Sequence, residues 1–338
     1  MKGANHFMTG VMPSSAPRSG VIAGADEAVL ALRDLSKRYG ERLAVDDLTL
    51  QVQRGEIFGF LGPNGAGKTT TIRMCLGLIA PTAGSVEILG VDVARFGPRI
   101  LPRVGALVEQ PALYPYLSGR NNLRAVGDAL GGAPAARIDA VLDLVALRDR
   151  AGDRVRTYSL GMRQRLGVAI ALLQDPDLLI LDEPANGLDP AGIVEMRDLL
   201  RRLASEGKTV FVSSHVLAEV QQICTRVAII NHGRLVVESS VAELTGSHGE
   251  FVVAIDRPRE ALALVQAQPW GASAHLDAED RLVTPAPNAE AGELNLFLVR
   301  AGFVPGAITP RVQDLEDIFL RLTGPARDTT ATAAGGAR

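Results

Sequence analysis

Several common features are scarce in this 338-residue chain, and each scarcity argues against a class of protein. Only two cysteines occur, Cys75 and Cys224, so we expect buried thiols rather than a disulfide framework or a cysteine metal site. No apolar run reaches the roughly 18 residues that a membrane-spanning helix needs. The net charge of −3 gives no general affinity for polyanions, so a nucleic-acid partner is not expected. The arginine pairs Arg163/Arg165 and Arg201/Arg202 lie on predicted helices, and we expect them to form solvated faces.

Both ends of the chain differ from its middle. Residues 1–26 are rich in small residues and proline, and residues 325–338 are rich in Thr, Ala and Gly, so both are expected to be disordered. The N-terminal segment has no apolar stretch, so it is not expected to be a secretion signal, and Met8 or Met12 are alternative start residues. These features fit a cytoplasmic protein.

A glycine-rich run matches the phosphate-binding loop pattern and follows a short apolar strand, Glu56–Leu61. A helix is predicted directly after it, so backbone N–H groups and a helix N-terminus would face bound phosphates. Lys68 is expected to reach the outer phosphates, and Thr69 to bind Mg²⁺. The expected nucleotide-binding residues of this run are Gly62, Pro63, Asn64, Gly65, Ala66, Gly67, Lys68, Thr69 and Thr70.

A second apolar strand, Leu178–Leu181, ends in two acids and a proline. Strands of this kind belong to mostly parallel sheets, whose ligands bind at the carboxyl ends of the strands. Asp182 is therefore expected to hold Mg²⁺, and Glu183 to orient the water that attacks the phosphate. A solvated acidic turn is the alternative interpretation.

A third motif, Tyr158–Met162, lies shortly before this acidic strand. The three motifs in this order resemble the ATP-binding subunit of an ABC (ATP-binding cassette) transporter, in which the signature of one subunit contacts the γ-phosphate of ATP on the other. Ser159 and Gly161 match that signature, whereas Leu160 and Met162 stand where glycine and glutamine are usual. The resemblance covers roughly residues 29–246, and this variant is similar to the drug, bacitracin and lantibiotic export branch.

The resemblance assigns roles to further residues, one by one. Tyr39 matches the aromatic residue that stacks on adenine, Asp189 matches the acid of the loop between the two subunits, and His215 matches the switch histidine at the γ-phosphate. Glu109 stands where the family has a glutamine and is followed by Gln110. A carboxylate there can still bind Mg²⁺ or orient water, although it adds negative charge beside the phosphates.

The resemblance and the alternation of strands and helices predict an α/β fold, the P-loop NTPase ABC cassette. We expect this domain at 27–246, with a RecA-like parallel sheet, an antiparallel β subdomain and a helical insert at about 111–158. A small α+β domain is expected at 250–324, closing with an amphipathic helix over 312–322. Tyr114, Tyr116 and Leu117 begin the insert, where they either contact a membrane partner or pack in the core.

The implied function is an ATPase, with ATP and Mg²⁺, that powers a bacterial exporter through a separate integral membrane permease. One phosphate loop and one signature per chain imply a head-to-tail pair of cassettes, identical or not, at the cytoplasmic face of the membrane. The cargo suggested by the resemblance is a drug or an antimicrobial peptide, with sodium, lipid and polysaccharide as the alternatives. The alternatives are an importer or a soluble ABC-type ATPase of translation or DNA maintenance, although no second cassette, coiled coil or zinc insertion is visible.

Overall fold

The computed structural model describes residues 28–246, 249–311 and 314–323, so the predicted disordered ends lie outside the described residues. The strands, in chain order, are β1 (Ala28–Tyr39), β2 (Arg42–Gln53), β3 (Ile57–Leu61), β4 (Ala83–Ile88), β5 (Val91–Asp92), β6 (Val104–Leu107), β7 (Leu178–Asp182), β8 (Thr209–Ser214), β9 (Arg226–Asn231), β10 (Arg234–Ser240), β11 (Glu250–Ile255), β12 (His275–Leu276), β13 (Leu282–Pro285) and β14 (Pro305–Pro310). The helices are α1 (Lys68–Cys75), α2 (Val93–Ile100), α3 (Gly119–Ala129), α4 (Ala135–Leu144), α5 (Leu160–Ala171), α6 (Pro190–Ser205), α7 (Leu217–Ile223), α8 (Val241–Thr245), α9 (Pro258–Gln266), α10 (Ala291–Arg300) and α11 (Leu315–Thr323).

The central sheet has the strand order β10-β9-β3-β8-β7-β6, and its pairings are parallel except for β10 against β9. Strands β3, β7 and β8 are buried at every residue, as expected of strands that are covered on both faces. Because β3, β8, β7 and β6 are parallel neighbours, the residues that follow them lie along one edge of the sheet. This edge is the place where the three predicted motifs can meet.

Side chains alternate across the central sheet and form two hydrophobic cores. On β3, Ile57 and Leu61 pack on the face that α5, α6 and α7 cover, whereas Phe58 and Phe60 pack on the other face. The second face meets α1 and the antiparallel sheet β2-β1-β4-β5, and Phe211 stacks there with its ring centroid 5.9 Å from that of Phe58. The predicted α/β fold class is thereby confirmed.

The chain between β6 and β7 contains the helices α3 and α4, which pack with α5 on the first core. Arg165 of α5 holds the end of α4, since its Nη1 donates to the carbonyl oxygens of Val145 (3.0 Å) and Ala146 (3.2 Å). It also lies 3.2 Å from Glu195 of α6, and its side chain is 13 % exposed. The expectation of a solvated face is therefore wrong for Arg165, which joins α4 to α6.

The first residues of this insert are presented to solvent. Tyr114 is 58 %, Tyr116 77 % and Leu117 36 % exposed, so packing in the core is excluded for them. The buried Asn122 shapes this segment, because its Nδ2 donates to the carbonyl oxygen of Tyr114 and its Oδ1 accepts from the Tyr114 N–H. The exposed aromatic residues thus stand on a fixed backbone.

A C-terminal sheet, β12-β13-β11-β14, forms a separate core with α9 and α10. Helix α11 does not belong to that core. Its Leu315 is fully buried in the first core of the cassette, and its backbone N–H donates to Gln221 Oε1 of α7 at 3.2 Å. The last helix of the expected domain at 250–324 therefore packs against the cassette. Within the described ranges, no helix is long and apolar enough to cross a membrane.

Candidate active site

The glycine-rich loop joins β3 to α1 and is held in a tight bend. Gly67 caps α1 with φ of 109°, and a Cβ atom there would lie 2.6 Å from the carbonyl oxygen of Ala44. A Cβ atom on Gly62 would lie 2.6 Å from the carbonyl oxygen of Ile230. Both approaches are shorter than a carbon atom allows, so glycine is required at the two ends of the loop.

Lys68, the first residue of α1, is almost buried, with 6 % of its surface exposed. Its ammonium group donates to the carbonyl oxygen of Gly62 at 2.7 Å and lies 3.2 Å from Glu183 Oε1. A buried cation requires such partners, because an unpaired charge is costly outside water. The loop therefore holds a positive charge at its centre.

Thr69 meets Asp182 beside this lysine. Its Oγ1 donates to Asp182 Oδ2 at 2.9 Å, and the other oxygen of the carboxylate accepts from Ser213 Oγ at 2.5 Å. A hydroxyl and a carboxylate are hard oxygen ligands of the kind that Mg²⁺ prefers. Among the described residues, no three Asp, Glu, His or Cys side chains gather as a metal site.

Glu183 follows β7 with a left-handed backbone, at φ of 51°. Such a conformation costs about 1 kcal/mol or more for a residue with a Cβ atom and is often found at functional sites. The N–H of Glu183 donates to both Oγ and the carbonyl oxygen of Ser213, and its Oε2 lies 2.7 Å from His215 Nδ1. The carboxylate is thus held between Lys68 and His215.

Ser213 is a residue that the sequence interpretation missed. It is fully buried at the end of β8 and contacts both acids of the site. The available signal was a pair of serines closing an otherwise apolar strand, since a buried hydroxyl needs a hydrogen-bond partner.

A cavity of about 520 Å³ lies between the loop and the β1–β2 hairpin. Lys68, Glu183 and His215 line it from the sheet side, and Tyr39 and Arg42 line it from the hairpin. Tyr39 is 48 % exposed, with Lys37 Nζ 5.1 Å from its ring centroid. The volume is that of a typical small-molecule site, and its lining combines an aromatic ring with charged side chains.

Glu109 follows β6 and also has a left-handed backbone, at φ of 59°. Its carboxylate is 60 % exposed and forms an ion pair with Arg73 of α1. With Gln110, Thr69 and Asp182 it lines a neighbouring cavity of about 370 Å³. Glu109 thus lines the same cavity as Thr69 and Asp182, and its ion-pair partner is Arg73.

A further carboxylate lies behind His215. Burial raises the pKa of Glu219 on α7; the neighbouring His215 lowers it, and the negative charge of Glu183 adds to the increase. Glu219 lines a largely apolar cavity of about 310 Å³ between α6 and α7. His215 thus stands between two carboxylates.

The remaining predicted site residues, Ser159, Gly161 and Asp189, lie at the starts of α5 and α6. Ser159 is exposed and caps α5 by accepting from the Met162 N–H at 3.2 Å, and Asp189 caps α6 by accepting from the Gly192 N–H at 3.1 Å. A Cβ atom on Gly161 would have its nearest neighbours at 3.9 Å, so packing within the chain does not require glycine there. Among the described residues, the lining of the 520 Å³ cavity includes none of these three.

Comparison with known proteins gives one consistent family. The model of the ABC transporter family matches residues 45–186. An uncharacterized ABC transporter ATP-binding protein of Bacillus subtilis, YhcH, is 41 % identical over 304 residues, which are 89 % of this chain and 98 % of that protein. The bacitracin transport ATP-binding protein BcrA of Bacillus licheniformis is 40 % identical over 298 residues, covering 88 % and 97 %.

A solved structure matches the cassette part of the chain. It is a dimeric ATP-binding cassette in a post-hydrolysis state, bound to ADP and Pi, with 25 % sequence identity and a TM-score of 0.57. The match covers 63 % of this chain and 98 % of that one. The similarity thus extends through the cassette, where all the predicted site residues lie.

Proposed function

This chain belongs to the ABC transporter family as an ATP-binding subunit and ATPase, and we propose that it powers export through a separate membrane permease. The proposed cargo is a drug or an antimicrobial peptide. Bacitracin is such a peptide, and the relative BcrA, named for its transport, matches over nearly its whole length. The observation that carries the proposal is the meeting of Lys68, Glu183 and His215 at one edge of the parallel sheet, with Asp182 hydrogen-bonded to Thr69 beside them.

ATP binding is assigned to the 520 Å³ cavity. The loop Gly62–Thr70 supplies N–H groups to the phosphates, Lys68 supplies a cation to the outer ones, and Tyr39 stacks on adenine. Two observations support this assignment. The loop has no room for a side chain at Gly62 or Gly67, and the buried Lys68 and the exposed ring of Tyr39 line the same cavity.

Mg²⁺ is assigned to Thr69 and Asp182, with Glu109 as a third oxygen ligand at the rim. The hydroxyl and carboxylate already lie 2.9 Å apart, and this donor set fits the ion. Held by these residues, Mg²⁺ would supply positive charge that neutralises the phosphates. Ser213 keeps Asp182 oriented toward Thr69 throughout.

Hydrolysis is assigned to Glu183 and His215. Glu183 accepts a hydrogen bond from the attacking water and aligns it for in-line attack, and His215 contacts the γ-phosphate. In the structure, Lys68 neutralises Glu183. Phosphates in the loop compete for that ammonium group, so ATP binding frees the carboxylate to act on water. The same lysine thereby links nucleotide binding to activation of the base.

A complete site requires a second subunit in this proposal. Ser159 and Gly161 bind the γ-phosphate held by the partner, and Asp189 lies at the contact between the two chains. Three facts support this arrangement: the exposure of the α5 N-terminus, the open space at Gly161, and the dimeric state of a similar cassette. A head-to-tail pair has two-fold symmetry and holds two ATP molecules.

The permease is proposed to dock at the start of the insert. Tyr114, Tyr116 and Leu117 form an exposed, mostly aromatic surface on a backbone fixed by Asn122. Exposed aromatic residues are enriched at protein interfaces. This docking places the chain at the cytoplasmic face of the membrane.

The test is affinity purification of the tagged full chain from its native host, as wild type, Glu183→Gln and Tyr116→Ala. With ATP and mild detergent, a polytopic membrane protein is expected to copurify with the first two chains and to be depleted with the third. Leu296→Ala, on an exposed site of the C-terminal unit, serves as the matched control. Recovery of ribosomes or DNA-bound proteins, with no membrane protein, would contradict the export proposal.

A further inference from the structure

We propose that Arg42 is a further nucleotide-binding residue, which contacts the phosphate chain of ATP from the β1–β2 hairpin. The inference rests on the proposed function, since it takes the 520 Å³ cavity as the ATP site. No motif in the sequence marks Arg42, because it lies outside the phosphate loop and three residues after Tyr39.

The hairpin geometry places Arg42 over the loop. Tyr39 and Arg42 are directly paired across the turn formed by Gly40 and Glu41, and side chains of such a pair project from the same face. Both line the cavity. Arg42 Nη2 lies 4.0 Å from the position that a Cβ atom on Gly65 would occupy. The guanidinium group therefore stands next to the tip of the phosphate loop.

The charges around the cavity leave Arg42 free to bind an anion. Within the part of the chain that the structure describes, its guanidinium has neither an ion pair nor a hydrogen bond. Lys68 is shared with Glu183, and Lys37 donates to the carbonyl oxygen of Ala80 at 2.6 Å. Arg42 is thus an unpaired cation at the mouth of a site built for a polyphosphate. A planar guanidinium fits phosphate oxygens with two parallel N–H donors.

The neighbouring Arg38 provides a contrast on the same hairpin. It is also exposed, but it stands next to Tyr39 in the strand and so projects from the opposite face. Its Nη1 donates to the carbonyl oxygen of Glu41. An effect of general surface charge would be equal for the two arginines, whereas a direct contact would be confined to Arg42.

The test is equilibrium titration of the full chain with AMP-PNP–Mg²⁺, a poorly hydrolysed ATP analogue, and with adenosine. Arg42→Ala is expected to weaken binding of the analogue about 10-fold, as for the loss of one charge-assisted hydrogen bond. Adenosine binding should stay unchanged, because it has no phosphate. Arg42→Lys should retain part of the affinity, and Arg38→Ala should match wild type.

The proposal would be overturned by an Arg42→Ala affinity within about twofold of wild type, or by an equal loss with Arg38→Ala. An equal loss of adenosine affinity would also overturn it, since the contact would then be to the base. Lys68→Ala separates this proposal from the function itself. If wild type binds the analogue and Lys68→Ala does not, the ATP site stands whatever Arg42 does.

Discussion

Glu183 is held between two groups of the site, with Oε1 3.2 Å from Lys68 Nζ and Oε2 2.7 Å from His215 Nδ1. The three residues come from segments that follow three neighbouring parallel strands, β7, β3 and β8. A carboxylate in this position is neutralised by the same lysine that a phosphate would attract. The contact therefore predicts that the Glu183 carboxylate and a bound phosphate compete for one cation.

Glu183→Gln is expected to lower the rate of ATP hydrolysis about 100-fold or more, because the amide cannot accept a proton from water. Binding of ATP should be retained or strengthened, since a negative charge beside the phosphates is removed. Phosphate release and size-exclusion chromatography with ATP measure the two effects. Glu219→Gln is the matched control, being a half-buried carboxylate near His215 that is not an ion-pair partner of Lys68. Hydrolysis at the wild-type rate in Glu183→Gln would refute the assigned base.

Two inactive variants should restore activity when mixed, because each composite site draws its loop and its signature from different chains. In a mixed dimer of Lys68→Ala and Ser159→Arg, one site has both defects and the other has none. Random mixing gives roughly a quarter of the wild-type hydrolysis rate, from half of the dimers with one of two sites intact. Each variant alone should be inactive. An inactive mixture would mean that the two sites are not shared in this way.

Arg73→Ala is expected to weaken the binding of ATP in the absence of Mg²⁺, roughly 3-fold to 10-fold, because the Glu109 carboxylate then lies near Asp182 and the phosphates with neither an arginine nor a metal ion to neutralise it. Adding Glu109→Gln to that variant should restore the affinity, since the uncompensated charge disappears. Equilibrium ATP binding by the two single variants and the double variant forms a complete cycle. Additive effects would show that Arg73 and Glu109 act on ATP binding separately, and they would contradict the proposed neutralisation of Glu109 by Arg73.

The stability of the sheet should depend on pH through Asp177, which accepts from Arg103 Nε at 2.8 Å. This hydrogen bond, and the charges of Arg103 and Arg54, lower the pKa of Asp177 in the folded chain below its ordinary 3.8. Its stabilising contribution is complete above 3.8 and is lost as pH falls through the lower folded value. Asp177→Asn should cost about 1 kcal/mol at neutral pH and progressively less below pH 3.8.

Urea unfolding of the wild type and of Asp177→Asn, from neutral pH to below pH 3.8, measures the difference in their free energies of unfolding. Asp256→Asn is the control, because Asp256 is exposed and its ion-pair partner is the adjacent Arg257. A difference for Asp177→Asn that stays constant at all pH values would contradict the ion-pair explanation.

Leu315→Ala should destabilise the cassette by about 2–4 kcal/mol, since it leaves a cavity where α11 enters the first core. Leu320→Ala on the same helix should change stability by less than about 0.5 kcal/mol, because Leu320 is 61 % exposed. Thermal unfolding of the two variants compares them. Equal effects would show that the burial of Leu315 does not contribute to the fold.

The sequence predicts the central strands well, because each is an apolar run ended by a polar residue or a glycine. It does not predict α2, which contains Gly97 and Pro98, both of them poor in helix interiors. The helix forms because Asp92 caps it, accepting from the Arg95 N–H at 3.1 Å, and because Val93 and Ile100 are buried. Tertiary packing overrides the local preference there.

Contacts between distant segments were equally beyond a single sequence. Glu109 pairs with Arg73 of α1, which lies 36 residues away in the sequence. Arg165 has the sequence context of a surface residue, and only the packing of α4 against α5 buries its side chain. The pattern of the last helix shows an apolar face but not which core it enters. The order of the strands determines the Arg73–Glu109 contact. The packing of the insert and of α11 determines the contacts of Arg165 and of the last helix.

The return of α11 to the cassette has a consequence for biosynthesis. The ribosome makes the C-terminal sheet unit before Leu315, the residue that fills the last position in the first core. A nascent chain that has reached Gly246 therefore carries its motifs complete but leaves apolar surface on α7 and α8 uncovered. The first core is complete only after α11 has been made, so a premature stop within the C-terminal unit would leave this surface exposed and make the protein prone to aggregation and proteolysis.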